Sequence, residues 1–275
     1  MPPTISIAIV TYHPDISLLN RVLGSLHSSI EMAKEKEIIS RCEVFLVDNG
    51  SDFCADHNVE VLIKESWPLI NISFLTGHGN VGYGSGNNLA FKNSTGDYFV
   101  VLNPDVILEK NAIASAIFFM SKNQDCGLLA PSAFDSQHRQ LSICKRYPSI
   151  LDLAVRGFLP DKVRQLFSHR LAKYEMRDLL YQQDISWNPD LVSGCFMLFR
   201  RQVFSSIQGF NPKYFMYFED FDISIRARKL SAIAYVPSVK IEHYGGNASR
   251  KGLRHISMFI SSAIKFFNTH GWRWV

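Results

Sequence analysis

The residues best suited to chemistry lie at Tyr214-Phe215-Met216-Tyr217-Phe218-Glu219-Asp220-Phe221-Asp222, where three carboxylates fall within four positions behind five aromatic or sulfur side chains. Burying an unpaired acid costs on the order of several kcal/mol, so packing alone seldom selects acids in such a setting. Low-polarity surroundings also raise a carboxylate pKa, which suits a group that must accept a proton near neutral pH. The same acids equally suit the first turn of a helix, where they complement the macrodipole and can pair with Arg226 and Arg228 one or two turns on.

Four further segments carry reactive or ligating side chains. Val47-Asp48-Asn49-Gly50-Ser51 sets an acid at the end of an apolar run, although Asp-Asn-Gly is also a good turn. Gly77-His78-Gly79-Asn80-Val81-Gly82-Tyr83-Gly84-Ser85-Gly86-Asn87-Asn88 is dense enough in glycine for backbone N–H groups to approach a phosphate or sugar, with Leu89-Ala90-Phe91 opening a helix behind it. Its glycines are wrongly spaced for the dinucleotide fingerprint, and a mobile loop is the rival reading. Asn103-Pro104-Asp105 offers oxygen ligands to a hard divalent cation, or forms an Asn-Pro turn. His243, after the alternating Val239-Lys240-Ile241-Glu242, is either a structural histidine or a metal ligand.

The elements that must position these groups follow from periodicity. Short apolar runs at Ile5–Val10, Val44–Val47, Ile70–Leu75 and Tyr98–Leu102 read as buried strands; Ser17–Ile30 has helical spacing and gives way to a charged patch at Glu31–Glu37. Strands alternating with helices imply a parallel α/β sheet, whose ligands sit beyond the carboxyl ends of the strands, where Thr11, Asp48 and Asp105 fall. Ala112 to Met120 reads as helix, and a mixed basic region runs to Asp184, with Leu151 to Tyr181 helical. Leu191–Arg200 reads as one strand, followed by a helix and then the acidic segment. No linker or repeat divides the chain, so 1–275 reads as a single domain with two halves, about 1–110 and about 111–275.

Composition narrows the class. The chain has 275 residues, 47% hydrophobic, and a net charge of +4, values that fit a globular fold and exclude a disordered chain. The charge is uneven: His138 to Asp178 holds nine Lys/Arg against four acids, and Lys240 to the end six against one. Such a distribution points to phosphates, a membrane face or nucleic acid. The last lacks any recognisable binding motif, so no nucleic-acid partner is expected. Five scattered cysteines without a C-x-x-C pair argue against a disulfide framework or structural zinc and fit a reducing compartment. Met1-Pro2-Pro3-Thr4 lacks a signal-peptide n-region, and no apolar stretch approaches the roughly 20 residues of a span.

Taken in order, the strand with Thr-Tyr, V-D-N-G-S, N-x-G-x-G-x-G-N-N, L-N-P-D, a Gly-containing strand, F-E-D-F-D-x-x-x-R and a His before a Gly pair resemble the inverting family 2 glycosyltransferases of the GT-A fold. The resemblance runs from about Ile5 to Gly246 and is strongest to the bacterial rhamnosyltransferase branch that builds surface glycans such as O-antigen and lipopolysaccharide. It implies an open mixed, mainly parallel sheet flanked by helices, a nucleotide-sugar half and a C-terminal acceptor half. It further implies that Thr11 and Tyr12 line the pyrimidine and ribose pocket, and that Asp48 accepts from the base ring N–H. Asn80, Gly82 and Asn87 belong to a loop closing over donor sugar and diphosphate. Asn103 and Asp105 occupy the D-x-D position, with Asp105 the principal ligand of Mg²⁺ or Mn²⁺ and His243 a second. Asp220 matches the catalytic base, supported by Glu219 and Asp222. Asn103 departs from the general D-x-D pattern, and a neutral amide binds a cation less tightly than a carboxylate.

The expected reaction moves L-rhamnose from dTDP-L-rhamnose to a hydroxyl of a lipid-linked oligosaccharide or polysaccharide acceptor. UDP-galactofuranose and UDP-N-acetylglucosamine are the rival donors, and a nucleotide-binding module without catalysis is the rival class. The expected location is the cytoplasm, with peripheral contact on the inner face of the membrane through Leu253–Phe267, Trp272 and Trp274. Ile256, Phe259, Ile260 and Phe267 equally suit a helix packed on the core.

Overall fold

The computed structural model describes residues 1–50, 66–67, 70–245 and 252–275; Ser51 and Gly246, named above, lie outside these, as do Cys54, Arg250, Lys251 and the side chain of Leu253. In chain order the strands are β1 (Thr4–Thr11), β2 (Arg41–Asp48), β3 (Asn71–Leu75), β4 (Tyr98–Leu102), β5 (Val106–Leu108), β6 (Cys126–Phe134), β7 (Gln140–Leu141), β8 (Cys144–Lys145), β9 (Ser186–Trp187), β10 (Leu191–Val192), β11 (Phe196–Arg200) and β12 (Ala232–His243). The helices are α1 (Ile16–Glu35), α2 (Tyr83–Asn93), α3 (Ala112–Lys122), α4 (Ile150–Phe158), α5 (Asp161–Gln165), α6 (Ser168–Tyr174), α7 (Arg201–Ser206), α8 (Glu219–Arg228) and α9 (Leu253–His270).

Among the described residues one ten-stranded sheet runs β3-β2-β1-β4-β11-β6-β12-β5, with β7 on β6 and β9 on β12, while β8 and β10 form a separate pair. β3, β2, β1 and β4 are mutually parallel. β11 runs against both β4 and β6, and β12 is parallel to β6, so the sheet is mixed. Its interior is aliphatic and aromatic: Ile7, Ile9, Val44, Val100, Leu129, Phe199 and Ile233 are all fully buried. That is why these strands appear as apolar runs instead of alternating patterns.

The helix α1 extends to Glu35, past the expected limit at Ile30. Asp15 caps it by accepting from Leu18 N at 3.1 Å, and Leu19, Val22, Leu23, Leu26, Ile30 and Ala33 form one buried stripe. The charged residues from Glu31 onward simply occupy the other face.

Three expectations fail here for local reasons. β6 was not anticipated: Gly127 and Pro131 interrupt CGLLAPSAF, and proline rarely sits in a central strand. The pairing with β12 slips between Val236 and Lys240, opposite Pro131 and Ser132, and this irregularity accommodates the missing donor. Leu151–Tyr181 is not one helix but α4, α5, α6 and a 3₁₀ turn at Arg177–Leu179. A Ser149–Asp152 capping box, bridged by Arg170 at 2.7 Å to Asp152, starts the first of these pieces and ties it to α6. Leu191–Arg200 is likewise two strands, broken by a turn at Ser193-Gly194-Cys195.

Candidate active site

Two strand ends open the site. The β1–β2 register sets Thr11 beside Asp48, both buried, and Thr11 Oγ1 donates to Val47 O at 3.3 Å. Tyr12 is half-exposed just beyond, edge-on to His13. Asn49, which the sequence reading quoted but gave no role, is buried and links this end to the glycine-rich segment: its Nδ2 donates to Gly82 O at 3.1 Å and its Oδ1 lies 3.2 Å from His78 Nε2.

The glycine-rich segment is shorter as a loop than expected. Helix α2 starts at Tyr83, so Gly84, Gly86 and Asn87 are helical. A Cβ at Gly84 would meet Phe210 Cβ at 2.8 Å, and one at Gly86 would meet Val10 Cγ1 at 2.9 Å. These two glycines therefore serve close packing of α2, not approach to a phosphate. Asn87, expected on the closing loop, is buried inside α2 with its Nδ2 donating to Tyr83 O at 3.0 Å. Asn80 does lie on the loop, exposed, and its Oδ1 accepts from Gly82 N at 3.1 Å. Gly82 has φ +85°, and a Cβ there would stand 2.3 Å from Phe215 O. Since Phe215 O accepts from Tyr83 N at 3.2 Å, the loop is fastened to the acidic segment.

Asp105 and His243, 138 positions apart, meet because β5 pairs antiparallel with the end of β12, His243 opposite Val106. Asp105 Oδ1 is buried without a hydrogen-bond partner and lies 3.4 Å from His243 Nε2. Gly245 clears the space beside them: a Cβ there would fall 2.0 Å from Asp105 Oδ2. An orphaned carboxylate oxygen facing an imidazole nitrogen fits a shared divalent cation. Among the described residues no cluster of three or more His, Cys, Asp or Glu forms, so further ligands would have to come from a bound diphosphate. Asn103 is held by its backbone, N donating to Cys195 O at 2.9 Å.

The acids sit in the first turn of α8, as the helix-terminus reading expects. They divide the work. Asp222 is buried between Arg226 Nε at 2.8 Å and His270 Nε2 at 2.9 Å, an anchor from α8 to α9. Arg228 pairs with Asp190, not with the acids. Asp220 is half-buried; its Oδ2 accepts from Gly194 N at 3.1 Å and its Oδ1 from Phe221 N at 2.9 Å. Glu219 is 7% exposed and its Oε2 has no partner. Burial, and then the charge of Asp220, pushes the Glu219 carboxyl up to about 8. Burial also raises Asp220, against the opposing pull of Lys145 and of the amide donors. Because Asp220 has more groups that favour its charged form, Lys145 and the Gly194 and Phe221 amides among them, the shared proton rests on Glu219 and the charge on Asp220.

Immediately before them, Tyr217 and Phe218 both adopt left-handed backbone, at φ 69° and 65°. Such conformations cost about 1–3 kcal/mol each and persist only where packing over-determines them. Here Phe218 is buried against Phe221, Phe259 and Phe266, Tyr217 Oη lies 2.8 Å from His255 Nδ1, and Ser262 Oγ donates to Met216 O at 2.8 Å. Helix α9 thus clamps the turn that aims the acids.

The Gly194 turn joins all of these parts. Its amide donates to Asp220, its carbonyl accepts from Tyr83 Oη at 2.8 Å, and the next carbonyl, of Cys195, accepts from Asn103 N. One turn therefore touches the glycine-rich helix, the Asn103–Asp105 turn and the candidate base. Only its break in an otherwise apolar run marked it in the sequence.

Comparison with known proteins agrees with this geometry. The chain is 26% identical over 281 residues to the N-acetylglucosaminyl-diphospho-decaprenol L-rhamnosyltransferase of Mycobacterium tuberculosis H37Rv, covering 94% of this chain and 84% of the relative. It is 24% identical over 205 residues to the rhamnosyltransferase WbbL of Escherichia coli K12, covering 71% of this chain and 73% of the relative. GalNAc-T7, solved with UDP, GalNAc and Mn²⁺, superposes with a TM-score of 0.67 at 15% identity, over 97% of this chain and 48% of its own. The mannosyltransferase PcManGT of Pyrobaculum calidifontis, solved with GDP-mannose and Mn²⁺, gives 0.61 at 13% identity, over 96% of this chain and 65% of its own. These superpositions establish the GT-A fold. Residues 6–208 match glycosyl transferase family 2, and the chain belongs to that family.

Proposed function

We propose that the protein is an inverting rhamnosyltransferase that moves L-rhamnose from dTDP-L-rhamnose to a hydroxyl of a lipid-linked sugar. The observation that carries the reading is the Glu219–Asp220 pair, with Asp220 charged and hydrogen-bonded to the turn that also holds Tyr83 and Asn103. The rhamnose and lipid-linked assignments rest on what the mycobacterial and Escherichia coli relatives are named for.

In this reading Thr11, Tyr12 and Asp48 receive the base and ribose, and Asn80 and Gly82 lie against the donor sugar and diphosphate. Asp105 and His243 hold Mg²⁺ or Mn²⁺, with Asn103 beside them. Such a cation would offset the negative charge that develops on the departing nucleoside diphosphate. Asp220 takes the proton from the acceptor hydroxyl as its oxygen bonds to the anomeric carbon and the sugar–phosphate bond breaks. One carboxylate on the face opposite the leaving group gives inversion in a single displacement, without a second nucleophilic acid. Glu219, protonated, keeps a second negative charge away from the nucleophile. Residues about 1–110 serve the donor and about 111–275 the acceptor.

Acceptors carried on a lipid bring the enzyme to a membrane surface. Among the described residues no helix is long and apolar enough to cross one. Peripheral contact has a specific candidate: Ile256, Ile260 and Ile264 form an outward stripe on α9, with Trp272 and Trp274 exposed beyond it.

The test is a panel of sugar nucleotides, read by transfer and by hydrolysis. dTDP-L-rhamnose should be consumed, EDTA should suppress the reaction, Mg²⁺ or Mn²⁺ should restore it, and Asp105→Ala should weaken nucleoside-diphosphate binding. Consumption of UDP-galactofuranose or UDP-N-acetylglucosamine instead would replace the donor. Binding of every donor with consumption of none would make the chain a nucleotide-binding module.

A further inference from the structure

Lys145 is not used by the reaction just described, yet it is the most conspicuous cation near it. It is 7% exposed on β8, and among the described residues its ammonium makes no hydrogen bond and no ion pair. Its Nζ lies 5.9 Å from the Phe221 ring centroid. The charged groups near enough to influence it are Asp220 from α8, Arg156 and Glu175, the last two already paired with each other at 3.1 Å. Burial lowers its pKa, as expected for an ammonium removed from water without a partner of its own. A buried lysine with three free donors costs stability that packing does not return.

Its position relative to the two halves of the reaction follows from the Gly194 turn. Cys195 O is bonded to Asn103 N, Gly194 N to Asp220, and Ser193 N to Ile143 O, two residues before Lys145. The turn thus leads from the Asp105 side, past the base, to the strand that carries Lys145. Lys145 also belongs to the segment His138–Asp178, with its nine Lys/Arg against four acids.

We propose that Lys145 binds the diphosphate of the acceptor, and so makes the enzyme specific for a sugar carried on a diphosphate over the same sugar in another linkage. The inference rests on the reading of Asp220 as the base. When the acceptor hydroxyl meets Asp220, a diphosphate on the anomeric oxygen of the same sugar stands about one ring away, within reach of a lysine side chain. The anion supplies the hydrogen-bond acceptors that Lys145 lacks in the free protein.

The experiment compares the full-length protein with Lys145→Met and Lys145→Arg on two synthetic acceptors. One is the α-diphosphate ester of N-acetylglucosamine with a short alkanol; the other is the alkyl glycoside of the same sugar without the diphosphate. Lys145→Met should raise KM for the diphosphate acceptor about tenfold or more and leave KM for the glycoside within about twofold. Lys145→Arg should retain most of the preference. Inorganic pyrophosphate and the short-chain alkyl diphosphate should raise the melting temperature of the wild type but not of Lys145→Met. Stabilisation by pyrophosphate but not by the alkyl ester would limit the site to free phosphates and overturn the assignment to a carried sugar. Equal losses on both acceptors, or weaker nucleoside-diphosphate binding in Lys145→Met, would overturn it as well. Failure of the underlying reading looks different: the wild type would then consume no sugar nucleotide at all.

Discussion

Of the two adjacent acids, Glu219 is raised further than Asp220 because Lys145 and the Gly194 and Phe221 amides oppose the effect of burial at Asp220. Asp220 accepts from two backbone amides, while Glu219 Oε2 accepts from none. Replacing Asp220 with Asn keeps an acceptor for Gly194 N and should preserve donor binding, while lowering turnover roughly 10²-fold or more, the usual worth of a general base. Wild-type turnover should rise with pH through an apparent pKa above the ordinary carboxylate range, since burial raises Asp220. Glu219 adds a stability signature. It stays protonated in the folded protein up to about 8, whereas the unfolded chain releases the proton near 4.5. Between those values the folded state binds the extra proton, so this group's contribution falls as pH rises and its cost is complete above about 8. Glu219→Gln should therefore match wild type near pH 5 and exceed it by a few kcal/mol at pH 8.5, by urea unfolding. A difference that does not change with pH would mean that Glu219 is ionised throughout.

At the scale of elements, the acidic segment holds its shape by being fastened on two sides. One side is the glycine-rich loop, through Gly82 and Tyr83 to Phe215 O; the other is α9, through Phe259, Phe266 and Ser262. Gly82→Ala places a Cβ against Phe215 O in left-handed backbone, and should cost roughly 1–3 kcal/mol or more while weakening nucleotide-sugar binding. Gly157→Ala is the matched control: a Cβ there meets nothing within 4 Å, and α4 should be unharmed or slightly strengthened. Equal effects in circular-dichroism melts and in binding would show that Gly82 has no special duty. The same elements explain what could be read without a structure. The spacing of Leu19, Val22, Leu23 and Leu26 is a helix wherever it occurs, and Ile5–Val10 is a buried strand by its uninterrupted aliphatics. β6 was hidden because Pro131 speaks against a strand locally, and only its partner's irregular register makes room for it. The start of α2 was hidden because Gly84 and Gly86 look like loop until Phe210 and Val10 are seen against them.

For the molecule as a whole, α9 presents one buried face and one exposed apolar face. Phe266 and Phe267 are buried in the aromatic cluster, while Ile260 and Ile264 are 45% and 47% exposed. Of the four residues in the core-packing reading, Phe259 and Phe267 do pack inward, whereas Ile256 and Ile260 lie on the outward stripe, which leaves that side available for the proposed membrane contact. Full-length protein should co-sediment with anionic vesicles at low salt and less at high salt, through the isoleucine stripe, Trp272, Trp274 and the exposed Arg254. Ile260→Asp with Ile264→Asp should abolish co-sedimentation and leave hydrolysis of the donor unchanged. Wild type that stays in the supernatant at low salt would remove the membrane role.

The sequence by itself determined the family, the parallel strands and the candidate residues, because short apolar runs, turn signals and the order of polar motifs are local properties of the chain. It placed Asp48 and Thr11 at strand ends, and Asp105 and Asp220 among the reactive groups, without any contact being known. What only the tertiary structure decided were the relations between distant residues. The β5–β12 register brings His243 to Asp105. The Gly194 turn supplies an amide to Asp220, while Glu219 Oε2 is left without a partner. His270 and Arg226 claim Asp222 for anchoring. Lys145 is brought near Asp220 by the pairing of β8 with β10. Hydrogen bonding and desolvation depend on which groups the fold brings within a few ångströms, and for groups far apart in the chain the local pattern does not contain that information.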